Sequence, residues 1–340
     1  MARSGGSLRN YALTRLMLVA PMVLILLTMV FVLMRVAPGD PVTAALGGRL
    51  SAEQIAERRA AAGYDRPILA QYVEYLGDVL TLDFGRTVTD NRPVTDILLE
   101  NGGATLTLTV ASMIVAVGIG LPLGLLAGRF RDTAGDGALR LFGVISYAAP
   151  VFFVGLIAQL VFGSTLGWLP TSGDASPTTF VPDVTHILLL DAIIAGDTAA
   201  TVDVLEHLIL PAVTLGLLVT GVFLRLVRVN VMQSLKGDYI EAARARGVPE
   251  RAVVYRHAFR NALVPVVTVM GLQAALLLSG AVLTEETFNW PGLGSELIDY
   301  LNNRDYTAVQ GIITVFALVV VVISLLIDFV NALVDPRVRY

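Results

Sequence analysis

The side chains able to do covalent chemistry are few in this chain, and their spacing disqualifies them one after another. Among 340 residues there is no cysteine, which removes thiolate nucleophiles, thiolate metal sites and disulfides together. Lys236 is the only lysine, and its surroundings, SLKGD, lack the glycine-rich turn that cradles phosphates, so no P-loop is present. No serine stands in a G-x-S-x-G context, H-E-x-x-H does not occur, and His186, His207 and His257 are too far apart to make a local metal motif. No residue is therefore assigned as catalytic or as a metal ligand, and an enzymatic reading has little to stand on.

What remains is the chemistry of charge and docking, concentrated in DYIEAARARGVPERAVVYRHAFRNALVP, residues 238–265, by far the most basic part of the chain. The helix signals in it agree. Asp238 is placed to N-cap, Glu241 at N3 to reach back, Arg244 and Arg246 near the negative end of the helix, and Gly247 at C′. Pro249 then opens the next helix. Such a helix has about two turns, well below the ~12–15 residues at which isolated helices are even marginal in water, so something must hold it. Ala242, Ala243 and Ala245 leave room for another surface to approach, Ile240 offers one apolar anchor, and the arginines flank the patch. This fits a groove on a partner protein. Anionic lipid head groups would account for the arginines but not for the alanines.

The elements that carry this segment are membrane spans. The sequence is 55% hydrophobic and 15% charged with mean hydropathy +0.72, far from soluble composition. Six stretches approach the ~20 apolar residues that cross a bilayer: 14–34, 104–127, 141–163, 207–224, 263–283 and 306–327. The first is longer than a signal-peptide core and is read as retained. Orientation follows from Lys and Arg. The amino terminus, the 128–140 and 225–262 links and the tail carry about 16 of them against roughly six acids, whereas 35–103, 164–206 and 284–305 hold 8 basic and 21 acidic residues. The expected fold is an all-α membrane protein with six transmembrane helices, both termini cytoplasmic, and an extracytoplasmic helical insertion after the first span. Its parts are a tail and first helix (1–36), the insertion (37–103), a five-helix core (104–334) with a cytoplasmic loop at 228–262, and a tail (335–340).

Within the insertion, Ser51 with Gln54 at N3 starts a helix that Gly63 closes. Pro67 opens a second, in which Ile68, Leu69, Tyr72, Val73, Leu76, Val79 and Leu80 recur at helical spacing. The loop 164–206 has no basic residue and holds Asp174, Asp183, Asp191, Asp197, Asp203 and Glu206, read as ordinary solvated acids, with attraction of a cationic group such as a substrate amine as the alternative. Its segment LLLDAIIAG is too short to span. Trp290, Tyr300 and Tyr306 suit an interfacial aromatic belt. The centres of the spans hold no Asp, Glu, Lys, Arg or His, unlike ion-coupled carriers, so energy for uphill transport must enter from elsewhere. Asp328 is expected at the interface. Ser112, Gln159, Thr214, Thr220 and Gln273 are polar candidates for a translocation path, and each can equally bond a neighbouring helix. Pro122, Pro150, Pro211 and Pro265 mark kinks or tolerated breaks.

EAARARG matches the E-A-A-x-x-x-G loop of ABC transporter permeases that work with a binding protein, and the longer run through RHAFRNALVPVVTV resembles the dipeptide, oligopeptide and nickel branch. RVAPGDP (35–41), LPLGLLAG (121–128), LGWLPTSG (166–173), HLILPAVTL (207–215), ETFNWPGLG (286–294), RDYTAVQG (304–311) and DPRVR (335–339) are similar to the same branch, so the resemblance covers nearly the whole chain. One departure is His257-Ala258-Phe259-Arg260, where the general pattern has I-x-L-P; the proline comes later, at Pro265.

The resemblance implies a non-enzymatic permease in the cell membrane of a prokaryote. Its implied partners are a homologous second permease, two cytoplasmic ATP-binding subunits and an extracytoplasmic binding protein, with the lipid bilayer around it and no nucleic acid. It implies no cofactor in this chain, ATP and Mg belonging to the partner ATPases, and coupling through Asp238, Glu241, Ala242, Ala243, Arg244, Arg246 and Gly247. The cargo implied is a di- or oligopeptide, with nickel or another small solute as the alternative. From a different class, a passive channel whose basic loop binds lipid, or a secondary carrier, remains; ATPase co-purification separates the first, and transport surviving loss of ATP would revive the second.

Overall fold

A computed structural model describes residues 8–36, 51–61 and 65–334. Gly63, most of the turn 35–41 and the tail 335–340 lie outside the described residues. The helices are α1 (Leu8–Val36), α2 (Ala52–Ala61), α3 (Ile68–Thr81), α4 (Val94–Arg129), α5 (Ala134–Ala148) and α6 (Val151–Ala158), which runs into a π turn at Gln159–Thr165. Then come α7 (Leu188–Ile194), α8 (Thr198–Ser234), α9 (Asp238–Ala245), α10 (Glu250–Ala252), a π turn Val253–Ala258, α11 (Phe259–Ala262), α12 (Val264–Phe288), α13 (Leu293–Asn302) and α14 (Tyr306–Val334). Among the described residues there is no strand, only an isolated bridge between Arg86 and Pro93.

Five helices, α1, α4, α8, α12 and α14, are long and apolar enough to cross a membrane. The sixth stretch is not a straight span: α5 and α6 meet at an angle of 104°. Pro150 is the cause. It has no N–H to continue the ladder and pushes Ala149 out of the helical region, to φ −73°, ψ 132°. By contrast Pro122 and Pro211 sit inside continuous helices. With 36 and 37 residues, α4 and α8 run to ~55 Å, well beyond the ~30 Å of hydrocarbon, so their ends project from it. Because α4 is unbroken from Val94, the expected boundary at residue 103 falls inside a helix.

The bundle is built around α8. In its most apolar stretch 72% of residues are buried, against 17% in α1 and in α14. Small residues allow this closeness. A Cβ added at Gly124 of α4 would lie 2.6 Å from the Leu224 carbonyl, and one at Gly216 of α8 would lie 2.7 Å from the Ser112 carbonyl, so these backbones touch. Leu108, Leu215, Phe223, Val227 and Leu277 fill the space around them.

On the flank, α1 pairs with α14 and with α3. Phe31 stacks on Tyr75 and meets Tyr72 edge-on, Thr28 bonds the Tyr72 hydroxyl at 2.6 Å, and Arg15 meets Asp328 at 3.3 Å. The expected capping box forms at Ser51 and Gln54, bonded both ways at 3.0 and 3.3 Å. On α3 only part of the expected stripe is used: Val79 is buried and Tyr72 and Leu76 are half-buried, while Ile68, Leu69, Val73 and Leu80 stay exposed and Tyr75, outside the stripe, is buried instead.

Two expectations about polar and aromatic residues are overturned. Asp191 and Asp203 are not solvated acids. Asp191 is buried and accepts from the Thr185 backbone and hydroxyl, and Asp203 accepts from Ser176 and Thr179, so they are internal anchors for a loop that has few apolar contacts of its own. Burial pushes the Asp191 carboxyl up, but the Thr185 hydrogen bonds outweigh it and leave it below the usual range. Trp290 and Tyr300 are not an interfacial belt either; both are buried, and the Trp290 indole N–H donates to the Ala104 carbonyl at 3.0 Å.

Candidate coupling site

The α9 helix lies where the chain turns between α8 and α12. Gly237, extended at ψ 146°, takes the N-cap position and no side chain caps the first turn. Asp238 is therefore the first helical residue rather than the cap, and Glu241 does not close a capping box. Their charges still oppose the positive end of the helix. The other end closes as expected. Gly247 has φ +76°, its N–H bonds the Arg244 carbonyl at 2.9 Å, and the Val248 N–H reaches back to the Ala243 carbonyl at 3.2 Å, a Schellman arrangement that needs a left-handed residue at its corner.

This helix is too short to stand alone, and its own chain supplies the floor. Ile240 and Ala243 are buried on Val253 and Ala258, with Leu235 and Val248 beside them. Both were expected to face a partner, and neither does: a two-turn helix must bury one face to exist, and theirs is the apolar one. The face left outward carries Asp238, Tyr239, Glu241, Ala242, Arg244, Ala245, Arg246 and Gly247, all exposed except for the half-covered flank at Gly237 and Val248.

The arginines are engaged inside the chain. Arg244 grips Glu250 with two bonds, Nε at 3.1 Å and Nη2 at 2.7 Å, which ties α9 to the start of α10. That guanidinium holds the Glu250 carboxyl below the usual carboxylate range. The Arg246 side chain donates to the Ala242 carbonyl at 3.2 Å, beside the backbone N–H of the same residue at 3.3 Å. The floor continues into the spans: Val254, Phe259 and Ala262 join Val227 and Val231 of α8 in the main core, and Arg129 at the end of α4 lies over the Tyr255 ring at 5.9 Å.

Close by is a buried ion pair. Asp136, in the first turn of α5, is fully buried and receives Arg228 of α8 through two bonds, 2.6 and 2.7 Å. The opposite end of the bundle holds two more buried carboxylates. Glu285 accepts from the Thr105 hydroxyl (2.7 Å) and from the backbone N–H groups of Gly294 (2.6 Å) and Ser295 (3.1 Å). Asp305 accepts from Val88 (2.6 Å) and Thr89 (2.8 Å) and caps α14 through Ala308 (3.3 Å). These residues were not singled out, because the partners that bury them, Arg228, Thr105, Val88 and Thr89, lie far away in sequence. The motif glycines gave the nearest signal: a Cβ at Gly294 would lie 2.7 Å from the Glu285 carboxylate, so PGLG leaves space for that acid.

Of the polar span residues, Ser112, Thr214, Thr220 and Gln273 are buried within the chain, and Thr220 donates to the Gly216 carbonyl at 3.0 Å. Gln159 is half-buried, its amide donating to the Thr171 (2.8 Å) and Thr287 (2.9 Å) carbonyls, which pins the loop after α6 to the end of α12. Among the described residues no group of three or more His, Asp and Glu is placed to hold a metal ion.

Residues 120–340, which include α9, the Asp136–Arg228 pair, Glu285 and Asp305, match the family described as binding-protein-dependent transport system inner membrane component. Residues 9–109 match the corresponding N-terminal family. The chain belongs to this family. It is thus a multi-pass inner-membrane protein and a permease subunit of a transport system. The permease is 37% identical over 335 residues to a dipeptide transport system permease protein of Escherichia coli, covering 97% of this chain and 99% of that one. It is 34% identical over 330 residues to a dipeptide transport system permease of Alkalihalophilus pseudofirmus, with the same coverage. A glutathione transport system permease of Salmonella choleraesuis is 36% identical over 331 residues, again covering 97% and 99%.

Proposed function

We propose that this permease is one of two homologous membrane subunits of an ATP-driven importer that admits di- or oligopeptides handed over by an extracytoplasmic binding protein. The observation that carries this reading is likeness along 97% of the chain to dipeptide permeases and to a glutathione permease, glutathione being itself a small peptide. Both termini and the 228–262 loop face the cytoplasm, the side to which Lys and Arg are biased, and 37–93 lies outside. Two cytoplasmic ATPases supply the energy, holding the ATP and Mg that this chain has no loop to bind.

Their docking surface is the outward face of α9, made by Glu241, Ala242, Arg246 and Gly247, with Ala243 and Ile240 beneath it as its seat and Arg244 as its brace. Closure of the ATPases presses on α9, and the floor under it passes the displacement to α8. The translocation path runs along faces the helices leave uncovered. Ser112, Thr214, Thr220 and Gln273 stand behind that lining, because all four are buried between this chain's own helices.

The test is uptake of a labelled dipeptide by vesicles holding the assembled importer, with and without ATP. The proposal expects accumulation against a gradient only with ATP, binding protein and both ATPases present. Accumulation by this chain alone, or downhill leak without ATPases, would overturn it in favour of a carrier or channel.

A further inference from the structure

The broken span α5–α6 hangs on α8 at two places. Higher up, Gly143 and Gly221 bring the two backbones into contact, with the Gly143 Cα 3.1 Å from where a Gly221 Cβ would stand. Lower down is the Asp136–Arg228 pair. Asp136 does three things there: its N–H bonds the Thr133 hydroxyl at 3.3 Å, its Oδ2 accepts from the Asp132 N–H at 3.1 Å, and both oxygens take Arg228. Arg140, one turn along α5, adds a second cation at 3.7 Å from Oδ1. One carboxylate thus fixes the turn 130–133, the first turn of α5 and the lower part of α8. From Arg228 only six residues remain to the end of α8 at Ser234, beyond which α9 begins.

We propose that Asp136 and Arg228 are positioning residues that carry displacement of the coupling helix into the broken α5–α6 span. The inference rests on α9 being the ATPase docking helix. A purely stabilising role is the weaker account of this pair, because buried ion pairs are often replaceable by apolar residues of similar volume at no loss of stability. What an apolar pair cannot reproduce is direction. A bidentate guanidinium–carboxylate contact fixes distance and angle at once, so α5 must follow α8, whereas a greasy contact lets the two slide.

The experiment uses the assembled importer in lipid vesicles and reads dipeptide uptake and ATP hydrolysis side by side. For the double variant Asp136→Leu/Arg228→Met, present in the membrane at wild-type level, we expect hydrolysis to stay within about twofold while uptake falls about tenfold, the size of change that altered coupling contacts produce. If the double variant fails to assemble, Arg228→Lys decides, since it keeps the charge and loses the fork. It should assemble and show the same split, hydrolysis retained and uptake reduced. Wild-type uptake in either variant overturns the proposal, as does a parallel fall of hydrolysis and uptake in Arg228→Lys. If instead Glu241 and Gly247 variants keep full uptake, the docking reading itself has failed, and that outcome is separate from this one.

Discussion

The two ends of the bundle solve the same problem, closing long helices with short ones, by opposite means. At the end holding Glu285, Trp290 and Asp305, charged and aromatic groups are turned inward, and each carboxylate collects several donors from distant segments. At the end holding α9, that helix's own charges are turned outward, and Ile240 and Ala243, with the Arg244–Glu250 tie, hold it to its floor. The first end is finished within one chain. The second presents an arginine-edged face, closed by Gly247 at one end and without a side-chain cap at the other, whose small side chains allow close approach, as the proposed docking requires.

The largest effect that separates the ends is expected at Glu285. Glu285→Ala leaves the Thr105 hydroxyl and two backbone N–H groups buried without an acceptor, at ~1–3 kcal/mol each, so thermal unfolding in detergent should shift far down or the protein fail to accumulate. Glu285→Gln, which restores only part of the acceptor capacity, should fall between. At the other end Ile240→Asp should spare the bundle yet abolish co-purification with the ATPases, because a charge in the floor unseats α9. Gly247→Val ranks next. Its side chain meets open space, so the cost is the left-handed backbone alone, ~1–2 kcal/mol, read as a partial loss of ATP-dependent uptake. Gly247→Ala should do the same more mildly.

Much of this contrast was legible in the sequence. The cap at Ser51 and the turn at Gly247 depend on residues within a few positions of one another, so local chemistry announces them, whereas nothing local set Pro150, where the span breaks, apart from Pro122 and Pro211, which sit inside continuous helices. The stripe on α3 and the length of α4 were legible only in part, since periodicity cannot say how much of a face its neighbours will cover. Wholly hidden were the contacts that cross the bundle: Asp136 with Arg228, Thr105 with Glu285, Ala104 with Trp290. Trp290 beside a Pro-Gly turn reads as interfacial until the helix that carries Ala104 is packed against it. Ile240 misled for a different reason. An apolar residue on an otherwise polar short helix can face a partner or its own floor, and the need of a two-turn helix for support decides for the floor.

The smallest effect is one of pH. Glu250 is held below its ordinary value by Arg244, so the contact is intact above the unfolded carboxyl's range, ~4.3, and is lost only as pH falls through the lower folded value. Hydrogen exchange of the α9 amides, taken relative to the intrinsic rate at each pH, should therefore be flat from neutrality down to that range and rise below it. Arg244→Gln should raise it slightly at neutral pH and make no difference at the acid end, where the contact is already lost. A rise centred near neutrality would point to a different brace.

The central claim, that the outward face of α9 is where the ATPase grips, is tested most directly by cysteine cross-linking, which suits a chain with no cysteine of its own. Ala242 and Ala243 are neighbours in sequence, but one is exposed and the other buried. In the assembled importer, Ala242→Cys should cross-link to a cysteine placed in the groove of the ATPase subunit, with a yield that changes on adding ATP, and Ala243→Cys should not. Equal yields at the two positions, or none at Ala242 while the complex remains active, would contradict the account.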